Sequence, residues 1–307
     1  MRPLLDQESQ VWSRLLSWDY SSSAEMILRY VDAKILPGYA AVDSRRVFGY
    51  AFFVYEGSKG VIGDMFVTDG KLGPSGNGRP LTEHKLLAHV IETLQQSPGI
   101  HRIEAQLLVH DTGAVSQPFL NEGFRRHPRL FMALPLRGEG APPRVPPTAP
   151  AEFEIRKWSE QDFQAAATLI TSAYRGHVDS DINDQYRTVS GSLRFLNNIV
   201  RFPGCGTFDP DASFVAIHKP TRTQAGLILC SRVKSDVGHV TQVCVLPEHR
   251  GRKIGEALIG ATCAALRRRT FAALSLTVTQ ANTRAVELYN RIGFDVKRVF
   301  DAFVWEG

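Results

Sequence analysis

The stretch "PEHRGRKIGEALIG", residues 247–260, joins a hydrophobic run to an apolar helix through a turn of Arg, Gly and Lys. Before it, "TQVCV" (241–245) reads as a strand, and Pro247 has no N–H with which to continue a ladder. The strand is therefore expected to stop or splay at Leu246–Pro247, leaving the backbone N–H groups of Val243, Cys244 and Val245 open to a ligand. After it, the first-turn amides of the helix have no internal partner, and the helix dipole favours an anion. A phosphate or pyrophosphate suits that position. Gly251 and Gly255 allow close backbone approach, and Arg250, Arg252 and Lys253 add charge-assisted contacts. The same residues also describe a basic turn capping a surface helix, and the loop alone does not separate the two readings.

Outward from this loop, the 307 residues are long for one core and comfortable for two domains of about 150 residues each. With 43% hydrophobic and 22% charged residues, the composition is that of a globular chain without collagenous, disordered or disulfide-scaffold bias. The net charge of +5 is spread thinly along the chain, so it does not call for a nucleic-acid partner. Cys205, Cys230, Cys244 and Cys263 form no CxxC pair and read as reduced thiols, which suits the cytoplasm. No apolar run approaches the roughly 20 residues of a membrane span, and "MRPLLDQESQVW" lacks the apolar core of a signal peptide. No membrane partner is expected.

Residues 137–152, "RGEGAPPRVPPTAPAE", carry five prolines and read as an extended, semi-rigid linker. Before them, "GYAAVDSRR", "VFGYAFFVYEG" and "GVIGDMFVTD" have strand character, followed by a helix in "LTEHKLLAHVIETLQQ" and a strand in "RIEAQLLVH". After them, "DASFVAIHKP", "QAGLILCSRV" and "GHVTQVCVLP" repeat the three strands, then come helix "GRKIGEALIGATCAALRRR" and strand "ALSLTVTQ". One plan is used twice. Matching Phe124 in "AVSQPFLNEGF" (114–124) to Phe294 in "AVELYNRIGF" (285–294) sets an offset of 294 − 124 = 170 residues and aligns Gly123 with Gly293. The expected organisation is a first domain over 1–137, a linker over 138–152 and a second domain over 153–307.

A strand ending in V-x-P, followed by R-G-x-x-I-G, resembles the acyl-CoA motif of the GNAT superfamily of N-acyltransferases. The family's form is Gln or Arg, two residues, Gly, one residue, then Gly or Ala. Arg250, Ile254 and Gly255 fit it, and Lys253 stands where the inner Gly is expected. Downstream, "LTVTQANTRAVELYNRIGF" (276–294) is similar to the family's second signature of strand, Asn, helix with Leu-Tyr, then Gly-Phe. The resemblance covers 153–307 well and 30–136 in outline. It implies an α/β fold of the α+β mixed-sheet kind, with two tandem domains, each a central mixed sheet with a splayed strand and flanking helices. It also implies acetyl-CoA as cosubstrate, no metal, and transfer of the acetyl group to a primary amine on a small molecule, protein or peptide by direct attack in a ternary complex.

The resemblance places Tyr289 in the general-acid position, donating to the departing CoA thiolate, although by itself this Tyr reads as a half-buried aromatic on an amphipathic helix. Many relatives carry a Glu base on the strand after the thioester-binding one; that position is Thr277, which cannot serve. Others place a Glu six residues before the end of the splayed strand, and counting back from Val245 reaches His239, a group that titrates near neutrality. A histidine at a strand start also serves structure. Asn282 either touches the pantetheine arm or orders the turn before the last helix. Asp179, Asp181 and Asp184 in "YRGHVDSDINDQYR" (174–187) either attract a cationic amine or form a solvated helix start. In the first half, "DGKLGPSGNGRPLTEHK" lacks the Arg-Gly opening, and the counterpart of Tyr289 is Phe119, which has no proton to give. Pro118 is expected to interrupt its helix. That half reads as degenerate. A non-catalytic acyl-CoA-binding sensor or scaffold is the alternative reading for the whole.

Overall fold

The computed structural model describes residues 1–43, 46–68, 78–138, 140–141, 149–201 and 206–307. Residues 142–148 of the proline-rich stretch, residues 69–77 of the first half's loop and Cys205 lie outside them. The fold is mixed α/β, with large mixed sheets and flanking helices. Contacts divide the chain into two compact units, Met1–Arg129 with Arg298–Gly307, and Leu130–Lys297. This division differs from one drawn at the proline stretch. The first half of the sequence gives residues from Leu130 onward to the second unit, and the second half gives its last ten residues to the first. Strands pair with whatever sheet edge is free, and sequence proximity does not decide which edge that is.

The first unit opens with α1 (Arg2–Leu16) and α2 (Ser21–Asp32), neither of which was anticipated. Leu4, Leu5, Trp12 and Leu16 bury one face of α1. Then come the three expected strands, β1 (Gly38–Asp43), β2 (Arg46–Glu56) and β3 (Lys59–Val67), which pair antiparallel in sequence order. Helix α3 (Gly78–Gln96) crosses over to β4 (Arg102–Gln106), which lies parallel to β3 from Lys59↔Arg102 to Ile62↔Ala105. Leu87, Val90, Ile91 and Leu94 of α3 pack on Ile62, Met65, Ile103 and Phe119, each worth about 1.5–3 kcal/mol of burial. Pro118 does not interrupt α4 (Ser116–Asn121); it stands in the first turn, where its missing N–H breaks no helical bond. Strand β5 (Arg125–Pro135) passes from one unit to the other.

The second unit continues with β6 (Phe153–Lys157), α5 (Phe163–Ala173), the short α6 (Val178–Ile182) and α7 (Val189–Arg201). The Ser159 and Asp162 side chains form a capping box on the turn that leads into α5. Next come β7 (Thr207–Phe208), β8 (Phe214–His218), β9 (Thr223–Lys234) and β10 (Val237–Val245), then α8 (Ile254–Arg268), β11 (Ala273–Thr279) and α9 (Thr283–Ile292). The strand order is β5-β11-β10-β9-β8-β6, with β7 on β9. Residues 225–231 of β9 are buried without a break, the mark of a strand covered on both faces. Ala166, Ala167 and Ile170 of α5 pack on Val215, Leu227, Leu229 and Cys244. Finally β12 (Asp295–Glu306) carries the chain into the first unit, antiparallel to β4 from Ala302↔Gln106 to Glu306↔Arg102. No helix among the described residues is long and apolar enough to cross a membrane.

Candidate active site

Strand β10 pairs with β9 along its whole length but runs parallel to β11 only from Val237↔Ala273 to Val240↔Leu276. The two strands therefore part at Val240, well before the Leu246–Pro247 break from which a splay was expected. A register shift between Val240 and Gln242 supplies the cause: an extra residue on one strand bends it and increases its twist. Beyond this point Val243, Cys244 and Val245 keep their β9 partners, Ile228, Leu227 and Gly226, while no β11 residue is paired with them. Val245 faces α8, with its Cγ2 4.0 Å from where a Cβ on Gly255 would stand; Cys244 packs in the α5 cluster. Burial raises the Cys244 thiol above its usual range, so this group is an inert wall.

The segment that follows α5 reaches both diverging strands. The Tyr174 hydroxyl donates to Gln242 Oε1 on β10 at 2.9 Å, and its ring stacks on Tyr186 at 4.5 Å. His177 caps α6, its Nδ1 accepting from the Asp179 amide at 3.1 Å. Asp179 Oδ1 accepts from the Thr279 hydroxyl, at the last residue of β11. Neither Tyr174 nor Gln242 was singled out in the sequence, because only the tertiary fold brings the end of one helix to the middle of a strand 68 residues away.

Tyr289 enters the same place from α9. Asn282 caps this helix, Oδ1 accepting from the Ala285 amide at 3.3 Å, and Gly293 at φ 106° ends it by donating to Tyr289 O and Asn290 O. Of the two roles considered for Asn282, the structure displays the turn-ordering one. Tyr289 is 7% exposed, and among the described residues its hydroxyl makes no hydrogen bond. Burial first, and then the Asp179 charge, hold its pKa above the ordinary phenol value, so the hydroxyl keeps its proton.

The loop holds its own geometry. Gly251 at φ 79° and Lys253 at φ 59° are both left-handed, and Lys253 occupies the N-cap of α8 without a side-chain cap bond. A left-handed backbone explains why a Gly is expected at Lys253. The Arg250 guanidinium binds protein carbonyls: Nε donates to Val245 O at 3.2 Å and Nη2 to Ala173 O at 2.6 Å, tying the loop to the ends of β10 and α5. Arg252 pairs with Glu152 at 2.9 Å, both half-exposed. Among the described residues Lys253 makes no ion pair. Ile254 is buried at the helix start, and an Ala at Gly255 would meet Leu288 at an ordinary 3.6 Å.

His239 lies in the part of β10 still paired to both neighbours. It is 5% exposed, its Nδ1 is 2.9 Å from Ser275 Oγ, and its ring stacks on Phe131 at 6.1 Å. Thr277 stands on β11 just past the last paired residue. The splay thus gathers Tyr174, Asp179, Gln242, Cys244, Thr279 and Tyr289, while His239 sits in the closed ladder behind it. Among the described residues, no three His, Cys, Asp or Glu side chains gather as a metal site would require.

Residues 181–294 match the acetyltransferase (GNAT) family, which makes this part of the chain a GNAT domain. A search of curated proteins finds no significant match. Among solved structures, a GCN5-related N-acetyltransferase from Sphaerobacter thermophilus is similar with TM-score 0.64 and 19% identity, over 96% of this chain and 91% of that one. A tandem GNAT protein from the clavulanic acid biosynthesis pathway gives 0.57 and 15%, over 88% and 82%. A GCN5-related N-acetyltransferase from Kribbella flavida gives 0.52 and 14%, over 92% and 93%. At such identities the likeness carries the fold, and the matches extend over both halves.

Proposed function

We propose that the second half of the chain, where residues 181–294 carry the GNAT domain, transfers the acetyl group of acetyl-CoA to a primary amine in a ternary complex. The observation that carries this reading is Tyr289: a buried, protonated phenol without a hydrogen-bond partner among the described residues, at the point where β10 and β11 part. A structural tyrosine in such a place would be expected to have found an acceptor. A neutral phenol in a water-poor cleft can instead give its proton to a departing thiolate.

In this reading the open N-terminus of α8, with Gly251, Arg252 and Lys253 before it and Gly255 inside it, faces the pyrophosphate, and the unpaired edge of Val243–Val245 receives the pantetheine arm. Arg250 shapes the loop by holding the ends of β10 and α5. The amine attacks the thioester carbonyl as its free base, forming the C–N bond. Collapse then breaks the C–S bond, with Tyr289 protonating the sulfur, and the proton that the nitrogen gives up, passed directly or through water, restores the Tyr289 hydroxyl. His239 is the candidate for assisting deprotonation of the amine, acting from behind the splay. The setting proposed is the cytoplasm.

The test is release of CoA thiol over a panel of amines, wild type against Tyr289→Phe. The substitution removes one oxygen and keeps the ring, so acetyl-CoA affinity should hold while turnover falls by about 10²- to 10⁴-fold, the usual worth of general acid catalysis. Acetyl-CoA binding without thiol release for any amine would favour a sensor or scaffold instead.

A further inference from the structure

We propose that Asp179 is the carboxylate that receives the acceptor, and that the acceptor is an alkyl amine presented as its ammonium ion. This rests on the acyltransferase reading above and names the substrate class for that site. Three carboxylates lie in 174–187, and the structure separates them. Asp181 stands 3.7 Å from Arg187 and is half-exposed, and Asp184 opens the turn Asp184–Arg187. Asp179 reaches the end of β11, where its side chain is 16% exposed. Among the described residues no Lys or Arg pairs with it; its one basic neighbour is His177, with Nδ1 3.5 Å from Oδ2.

Two further groups point to a ligand independently of this charge. Gln242 is 5% exposed, its Oε1 is held by Tyr174, and its Nε2 is a buried donor without an acceptor among the described residues. Tyr289 is 7% exposed, and among the described residues its hydroxyl makes no hydrogen bond. Buried donors left without acceptors are costly, and such groups in a native structure call for an explanation. The space between the strands therefore offers one negative acceptor and two donors. An acyl carbonyl or sulfur satisfies the donors, and an ammonium satisfies the carboxylate. An arylamine or alcohol, neutral at pH 7, would leave Asp179 desolvated and uncompensated.

The groups facing Asp179 are Tyr174 from the end of α5, His177 ahead of α6, Thr279 from β11 and Tyr289 from α9. Asp179 gathers the ammonium form, and the small free-base fraction attacks, so its effect belongs in the Michaelis constant for the amine. The effect should fade as pH rises through the amine's own pKa of about 10.4, because the acceptor then loses its charge.

The experiment measures acetyl transfer from acetyl-CoA to alkyl amines and to arylamines, with wild type, Asp179→Asn and, for the neighbouring half-exposed carboxylate, Asp181→Asn. Asp179→Asn should lower kcat/KM for alkyl amines by about 10- to 100-fold at pH 7, mainly through KM, and the deficit should narrow toward pH 10. Arylamine transfer and acetyl-CoA affinity should stay within about twofold. Asp181→Asn removes the same unit of charge two residues away and should keep most of the activity. Equal losses on both acceptor classes, or an Asp181→Asn defect as large as that of Asp179→Asn, would overturn the assignment and leave the acyltransferase reading intact. A wild-type protein that acetylates arylamines and no alkyl amine would do the same, whereas one that acetylates no amine would reject both.

Discussion

The two units meet the same structural event with opposite chemistry. In each, a parallel strand pair runs for four residues and parts: β3 from β4 after Ile62↔Ala105, and β10 from β11 after Val240↔Leu276. In each, a tyrosine after the first helix of that half reaches the strand just past the parting, Tyr20 to Asp64 Oδ2 at 2.7 Å and Tyr174 to Gln242 Oε1 at 2.9 Å. In the first unit this region is packed by its own residues. Tyr50 donates to Glu8 at 2.5 Å, and Trp12 stacks on Tyr20 at 4.7 Å and on Trp18 at 5.5 Å. Glu8 and Asp64 are both buried, and the counterpart of Tyr289 is the fully buried Phe119, stacked on Phe303 at 4.0 Å. In the second unit Tyr289 puts a hydroxyl where the first has a phenyl ring, and Gln242 Nε2 is without a partner among the described residues, as Glu8 Oε1 and Trp12 Nε1 are in the first. A duplicated fold keeps its backbone device, and the side chains decide whether it encloses a core or offers a site.

The largest expected effect compares Tyr289 with Phe119. Tyr289→Phe should remove about 10²- to 10⁴-fold in turnover with little change in stability. Phe119→Tyr should add no activity and should cost about 1–3 kcal/mol, because the new hydroxyl enters an apolar stack without an acceptor. A Phe119→Tyr variant with raised turnover or unchanged melting would break the contrast.

A smaller effect concerns Glu8. Burial first, and then the Asp64 charge, push its carboxyl well above the ordinary value of 4.5. A raised folded-state pKa means that its contribution is fully present below the unfolded pKa and is lost as pH rises through the folded one. Thermal melting of the wild type should therefore lose stability as pH climbs above about 4.5. Glu8→Gln should flatten that decline and melt higher at neutral pH. A steeper decline in the variant would show that the ionised carboxylate is the form the fold prefers.

The smallest effect sits in the loop. Lys253 is held at φ 59°, so Lys253→Gly relieves about 1–2 kcal/mol of left-handed strain against about 0.5–1 kcal/mol of added chain entropy. Its net change should be near zero or slightly stabilising, whereas Lys253→Val should lower the denaturation midpoint. Equal midpoints for the two variants would mean that the loop relaxes out of this conformation.

What was legible in the sequence followed from local rules. The strand, turn and helix around Arg250, the capped helix carrying Tyr289 and the repeat of one plan all rest on short-range periodicity, Gly and Pro. Helix α1 left a local signal as well, with Leu4, Leu5, Trp12 and Leu16 at helical spacing, but Glu8 on the same face obscured the apolar stripe and proved to be buried. Other features could not be read locally. The donation of Arg298–Gly307 to the first unit depends on which sheet edge is free. The parting of β10 at Val240 depends on a bulge against β9, and the approach of Asp179 to Thr279 spans 100 residues. The two carbonyls that Arg250 binds, at the ends of β10 and α5, are announced by no pattern in the loop, and they leave other N–H groups of its guanidinium for the phosphate contact read from its charge.

The contrast between a filled and an open parting is tested most directly by calorimetric titration of the intact chain with acetyl-CoA. The account predicts one site per chain, retained in Glu8→Gln and weakened when the left-handed Gly251 is replaced by Val, since a β-branched residue at φ 79° distorts the loop ahead of α8. Two equivalent sites per chain, or a single site untouched by Gly251→Val, would contradict it.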